Sequence, residues 1–298
     1  MYPHFFRKVS ALPWFRNRVE ADDGDFFDVD MYITPKKPIV VLVHGLEGSS
    51  HSSYIQGCAH HFMKKGWGVA ALNLRSCSGT LNRRSQFYHS GWFADLNRLV
   101  VSLRRHHVPI FGLGFSLGGN LVLKYAAEVK TSFDAVMAVS APIDLSSSTH
   151  AMRAWPARFY EKRFLRMLQQ KTRQKTKKLL DDGIPLQQAL SAQTIRDFDR
   201  YLTAYCYGFK DEEDYYQNAS ALPVLNKISI PAHLLQSKDD PMLSKSCYPD
   251  TLPSNISSVY TDRGGHVGFV YGARNARAYF AQEEAERFFD RCLQHEKS

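Results

Sequence analysis

The sequence predicts an α/β fold: a mostly parallel central sheet flanked by helices, with a helical insertion late in the chain. Three observations predict it. Between Asp28 and Ser140, apolar segments of strand length alternate with segments of helical spacing, the order that a parallel sheet with crossover helices requires. Ile39-Val-Val-Leu-Val43 and Ala135-Val-Met-Ala-Val139 are apolar without interruption, as in strands covered on both faces. Finally, Gly114-Phe-Ser-Leu-Gly118 joins an apolar run to an amphipathic one, where the chain must turn sharply from strand to helix.

Taken in order, the predicted strands are Phe26–Ile33, Ile39–Val43, Val69–Asn73, Ile110–Phe115 and Ala135–Ser140. Helices are predicted at Tyr54–Lys65, Phe93–His106 and Leu117–Val129, where apolar residues recur every three or four positions. From Asp144 to Asn218 the rhythm breaks into a helical, charged, strand-poor stretch with no Gly-Ser linker. It reads as a cap or lid (144–218) within a single domain spanning 1–298. The alternation resumes with strands at Ala232–Gln236 and Ser257–Tyr260 and a last helix at Ala273–Gln294. At 298 residues, the chain is long enough for one substantial core.

Composition excludes several classes. Hydrophobic residues make up 44% and charged residues 22%, as in soluble globular proteins. No window approaches the roughly 20 apolar residues of a membrane span. Met1 to Lys8 lacks an apolar h-region, which argues against a cleavable secretory signal. The five cysteines (58, 77, 206, 247 and 292) are odd in number and form no C-x-x-C pair. That pattern argues against a zinc site or disulfide framework and for a reducing compartment, so a soluble cytoplasmic protein is expected.

The net charge of +9 is concentrated: between Arg153 and Lys178 ten Lys or Arg residues face one acid, Glu161. Trp155, Phe159, Phe164, Leu165 and Leu168 lie in the same stretch. Two readings fit it, a solvated helical face or a basic amphipathic helix touching anionic lipid. No zinc-finger, RRM or KH pattern is present, so no nucleic-acid partner is expected.

A G-x-S-x-G at a strand-to-helix junction is the nucleophile elbow of the α/β-hydrolase fold, which makes Ser116 the candidate nucleophile. It needs a base, an acid to orient that base, and donors for an oxyanion. His266 lies in a glycine-rich loop, Asp262-Arg-Gly-Gly-His-Val-Gly-Phe269, between the last predicted strand and the last helix. It is the candidate base. The turn after Ala232–Gln236 offers Asp239 and Asp240; Pro241 restricts Asp240 to an extended conformation and favours it, with Asp144 a remoter option. His44-Gly-Leu-Glu-Gly-Ser-Ser50 follows the strand Ile39–Val43, where half of an oxyanion hole belongs. The donors would be the backbone N–H groups of Leu46 and Leu117, with His44 holding the loop. No Walker or G-x-G-x-x-G sequence is present, and no metal or organic cofactor is expected.

On these stretches the chain resembles AB-hydrolase superfamily 4, a family of bacterial esterase-like proteins and eukaryotic phospholipase-like hydrolases. The matching residues are His44–Ser50, Asn73-Leu-Arg-Ser-Cys-Ser-Gly79, Tyr88-His-Ser-Gly91 and Gly114-Phe-Ser-Leu-Gly-Gly-Asn120. Phe198 to Tyr201, Tyr215-Tyr216, Lys238-Asp-Asp-Pro241 and Gly264-Gly-His-Val-Gly-Phe269 also match, so the likeness covers nearly the whole chain. The resemblance implies a Ser116, Asp240, His266 triad and hydrolysis of a small-molecule or lipid ester. Acyl transfer with the same triad, or a non-catalytic lipid- or protein-binding homologue, are the alternatives. Two departures stand out. Ser76 replaces a common glycine, and Trp92 stands where the family carries an acid soon after Tyr-His-Ser-Gly.

Overall fold

Strands with no polar interruption make the centre of the sheet. In the computed structural model, which describes residues 12–272 and 278–295, β3 (Ile39–Val43), β5 (Ile110–Phe115) and β6 (Ala135–Val139) are buried at every position. Around them lie β1 (Phe15–Glu20), β2 (Phe26–Tyr32), β4 (Gly68–Asn73), β7 (Ala232–Ser237) and β8 (Ile256–Thr261). The eight strands form one sheet in the order β1-β2-β4-β3-β5-β6-β7-β8. The pairs β1–β2 and β2–β4 are antiparallel and the rest parallel.

Because side chains alternate across a strand, β3 serves two cores. Val41 and Val43 face α2 (Ala94–Leu103) and α3 (Leu117–Glu128), while Val40 and Leu42 face α1 (Ser53–Lys64) and the C-terminal helix. On the second face Phe111 stacks on Phe289 of that helix, with ring centres 4.6 Å apart.

The long connection from β6 to β7 contains no strand. It comprises α4 (Leu145–Ala151), α5 (Arg158–Gln174), α6 (Thr176–Asp181), α7 (Leu186–Ser191) and α8 (Ile195–Phe198). Helix α8 continues through a π-helical stretch, Asp199–Ala204, into Tyr205–Tyr207; α9 (Glu212–Ala219) and a short 3-10 turn, Leu222–Lys227, complete the run. Asp144 accepts the Ser147 amide at 3.1 Å and thereby caps α4.

Two features differ from the sequence expectation. Strand β1 has an exposed, polar sequence and was not anticipated; it is held by charge pairing across to β2, Arg16 with Asp30 at 2.7 Å and Arg18 with Asp28 at 2.9 Å. The last helix, α10, is Phe280–His295 rather than starting at Ala273, because Ala278–Tyr279 pairs as a strand with Val270–Tyr271. Residues 273–277 of that expected helix, and the Met1–Lys8 stretch read for a signal, lie outside the described residues. Among the described residues no helix is long and apolar enough to cross a membrane.

Candidate active site

Ser116 occupies the tight turn where β5 becomes α3, with φ 53° and ψ −124°, a conformation that costs on the order of 1–3 kcal/mol. The flanking glycines make the turn sterically allowed. A Cβ on Gly114 would lie 2.2 Å from the Gly118 carbonyl oxygen, and one on Gly118 would lie 2.4 Å from that of Val43. The serine amide donates to the Val139 carbonyl at 2.8 Å, so both neighbouring strands fix the elbow.

His266 Nε2 stands 2.8 Å from Ser116 Oγ, and its Nδ1 stands 2.8 Å from Asp240 Oδ2. The Asp240 side chain is fully buried and that of His266 nearly so. With a carboxylate at Nδ1 the ring proton belongs there, which leaves Nε2 free to accept from the serine hydroxyl. Asp240 Oδ1 takes the Met242 amide at 2.9 Å, which leaves Oδ2 for the histidine. Asp239 is turned elsewhere: its Oδ1 accepts the Gly264 and Gly265 amides at 2.9 and 2.7 Å, tying down the loop that carries His266. Ser140 Oγ anchors the other side of that loop through the Val267 amide at 3.1 Å.

Leu117 is the first residue of α3, and its amide is one of those at a helix N-terminus with no intrahelical acceptor. The Leu46 amide is oriented by its neighbours. His44 Nε2 accepts the Leu74 amide at 3.1 Å, so Nδ1 bears the proton and donates to the Gly45 carbonyl at 2.7 Å. Burial keeps this imidazole neutral, with a pKa lowered to about 4. The Gly48 amide also donates to the Gly45 carbonyl, at 3.0 Å. In a trans peptide N–H and C=O point opposite ways, so holding the Gly45 oxygen turns the Leu46 N–H away from His44. Leu46, Leu117, Ser116 and His266 line one cavity.

Two cavities meet at Ser116 and His266. The first runs under α5 and α8 and is walled by Phe87, Phe164, Leu168, Phe198, Leu202 and Tyr207. The second is bordered by Tyr54, Tyr160, Arg163, Met167 and Met242. The first wall carries a few polar groups, among them Asp199, whose carboxyl accepts from Tyr216 Oη and Thr203 Oγ1 at 2.7 Å each. Burial pushes its pKa up to about 6. His89, also on this wall, is held neutral by burial, with a pKa of about 3.

The structure corrects the reading of the basic segment as wholly solvated or lipid-facing. Lys171 Nζ is buried at 2.7 Å from Glu47 Oε1, and Lys175 Nζ donates to Asn82 Oδ1 at 2.9 Å and to the Arg84 carbonyl. Burial works against the Lys171 charge, yet Cys77 and Glu47 hold its pKa above the usual lysine value; for Lys175 burial outweighs the attraction of Asp25 and Cys206, and its pKa is lowered to about 8. Glu47, Tyr54 and Lys171 went unnoticed in the sequence as parts of the site. One signal was present: Phe164, Leu168 and Lys171 fall at i, i+4 and i+7, so Lys171 sits on the inward stripe of α5. Ser76 adopts φ 64°, in the left-handed region that favours glycine. Its hydroxyl donates to Asn82 Oδ1 at 2.6 Å and accepts the Asn82 amide at 3.0 Å, offsetting the strain.

Residues 38–273 match the family model described as the alpha/beta hydrolase fold. The chain is 35% identical over 283 residues to the "Putative esterase YheT" of Escherichia coli (strain K12), covering 91% of this chain and 83% of that protein. It is 29% identical over 259 residues to the monoacylglycerol lipase of Saccharomyces cerevisiae, spanning 83% of this chain and 58% of the yeast protein. Among solved structures it superposes on the Pyrococcus furiosus esterase Pf2001 with a TM-score of 0.62 at 14% identity, covering 96% of this chain and 95% of that one. The sheet order, the elbow at the end of β5 and these matches lead to one conclusion: the chain belongs to the α/β-hydrolase family.

Proposed function

We propose that this chain is a serine hydrolase that cleaves carboxylic esters through an acyl-enzyme on Ser116. One observation carries the reading: the unbroken hydrogen-bonded series Asp240–His266–Ser116 at the junction of two largely apolar cavities. In the first step His266 Nε2 takes the Ser116 proton as Oγ attacks the ester carbonyl. The oxyanion is held by the Leu46 and Leu117 amides, and Asp240 stabilises the imidazolium that forms. The imidazolium then protonates the departing alcohol. Water, activated by the same nitrogen, releases the acid and regenerates the serine. Every proton moves through His266, and no metal or organic cofactor enters the scheme.

The aromatic and aliphatic wall of the first cavity suits an acyl chain, and α5 and α8, which lie over it, act as a lid. The substrate class is accordingly a lipid-like or acyl ester, in keeping with lipases and phospholipases among the relatives. The same reading extends to peripheral contact with an anionic membrane. Trp155 and Phe159 are 79% and 59% exposed beside the basic outer face of α5. A panel of p-nitrophenyl esters from acetate to palmitate tests the substrate class. We expect kcat/KM to rise from acetate towards medium chains; a preference for acetate that declines steadily with length would contradict the acyl cavity.

A further inference from the structure

We propose that the buried Glu47–Lys171 pair is a latch through which the lid helix α5 positions the Leu46 amide, making both side chains positioning residues for the oxyanion site. The proposal rests on the serine-hydrolase reading above. Its geometry is a closed circuit of bonds. The Glu47 amide donates to Tyr88 Oη at 2.9 Å, and Tyr88 Oη donates back to Glu47 Oε1 at 2.8 Å. The same Oε1 receives Lys171 Nζ, which reaches across from α5 and also donates to Cys77 Sγ at 3.3 Å. The carboxylate and ammonium are 5% and 13% exposed, so neither has bulk water as an alternative partner.

The backbone gives the pair its leverage. Glu47 has φ 53°, which costs a residue other than glycine about 1–2 kcal/mol. A bound side chain can hold the residue there. Glu47 immediately follows Leu46, a cavity-lining residue in the turn closed by the Gly48 amide and the Gly45 carbonyl. On the opposite flank Tyr54 Oη accepts the Gly45 amide at 3.0 Å. That flank belongs to the domain core, whereas the Glu47 flank joins a core contact, Tyr88, to one from the lid, Lys171. If Lys171 is removed, the Glu47 carboxylate is left buried without its counter-charge, which is strongly unfavourable. The side chain then turns towards solvent and the strained backbone relaxes, carrying the Leu46 amide out of line. A lid displaced from α5's present position would have the same effect. The site would thus be complete only when the lid is seated.

The test compares Lys171→Met, which preserves length and apolar contact, with wild type and Lys171→Arg. All are assayed on a soluble short-chain ester well below their unfolding temperatures. Loss of one oxyanion donor typically costs about 10²–10³-fold in kcat. A misaligned donor should therefore cost about 10- to 100-fold, with KM changed less than about threefold and partial recovery in Lys171→Arg. Affinity for a trifluoromethyl ketone, which forms an oxyanion on Ser116, should fall in step with kcat/KM, a response that packing alone would not produce. A folded Lys171→Met with wild-type kcat and wild-type ketone affinity overturns the latch, and so does a lower Tm with both quantities unchanged. If Lys171→Met fails to fold, Glu47→Gln, near-isosteric and uncharged, replaces it under the same criteria. Ser116→Ala separates the two levels: turnover near the wild-type rate there defeats the hydrolase reading, whereas a Ser116→Ala reduced by orders of magnitude beside a fully active Lys171→Met defeats only the latch.

Discussion

Asp239 and Asp240 are adjacent, identical in type and both engaged near His266, yet they do different things. Asp240 meets the imidazole, and Asp239 ties two loop amides. The sequence already inclined towards Asp240, because a following proline extends its backbone. It offered no sign of the Asp239 role, since donor amides in a loop leave no trace in residue types. The prediction follows from the contacts. Asp240→Asn should lose orders of magnitude in kcat through a misdirected imidazole. Asp239→Asn, which keeps an acceptor oxygen for the loop, should lose far less, and steady-state kinetics of the two variants decide it. Equal losses would mean that loop placement, rather than imidazole orientation, dominates. Glu47 and Lys171 show why the rest of the site was hidden. Their partnership spans 124 residues, and a charge in a basic run looks solvated until its helix is placed.

Among the elements, the buried parallel strands and α1 to α3 were legible because their periodicity has one cause, burial on defined faces. The edge strand β1 was illegible for the converse reason. It is joined to β2 by a backbone ladder and arginine–aspartate pairs rather than by an alternating apolar face, and short strands such as Val270–Tyr271 carry too little pattern to read. Helix α5 falls between these cases. Its inward stripe was readable, but the ten basic residues around it divide into buried and exposed sets that composition cannot separate. Arg158, Lys162 and Arg166 are on the exposed face, next to the edge-to-face Trp155–Phe159 pair with ring centres 4.9 Å apart. If this face meets anionic lipid, the triple variant Arg158→Glu, Lys162→Glu, Arg166→Glu should lose sedimentation with phosphatidylglycerol vesicles. Wild-type binding should weaken with salt, and turnover of a soluble ester should be unchanged. Equal sedimentation of the two proteins would leave α5 a solvated cap.

For the whole molecule, the fold places three depressed histidines in the interior: His44 and His233 at about 4 and His89 at about 3, in each case chiefly through burial. Each binds a proton more readily when unfolded, so each lowers stability as pH falls from about 7 through the unfolded value near 6.5. Asp199, raised to about 6 by burial, opposes them below that pH. Burial raises the carboxyls of Asp95 and Glu161 in the same direction, but the histidine shifts are the larger and predict a net loss of stability between pH 7 and 5, read from urea unfolding midpoints; an equal or higher midpoint at pH 5 would contradict it. The central claim is chemical, and mass spectrometry tests it most directly. A fluorophosphonate should add one equivalent to the wild-type protein, with the mass increment on the peptide bearing Ser116. Folded Ser116→Ala should take up none and hydrolyse no ester. Stoichiometric labelling or turnover that persists in folded Ser116→Ala would contradict the account.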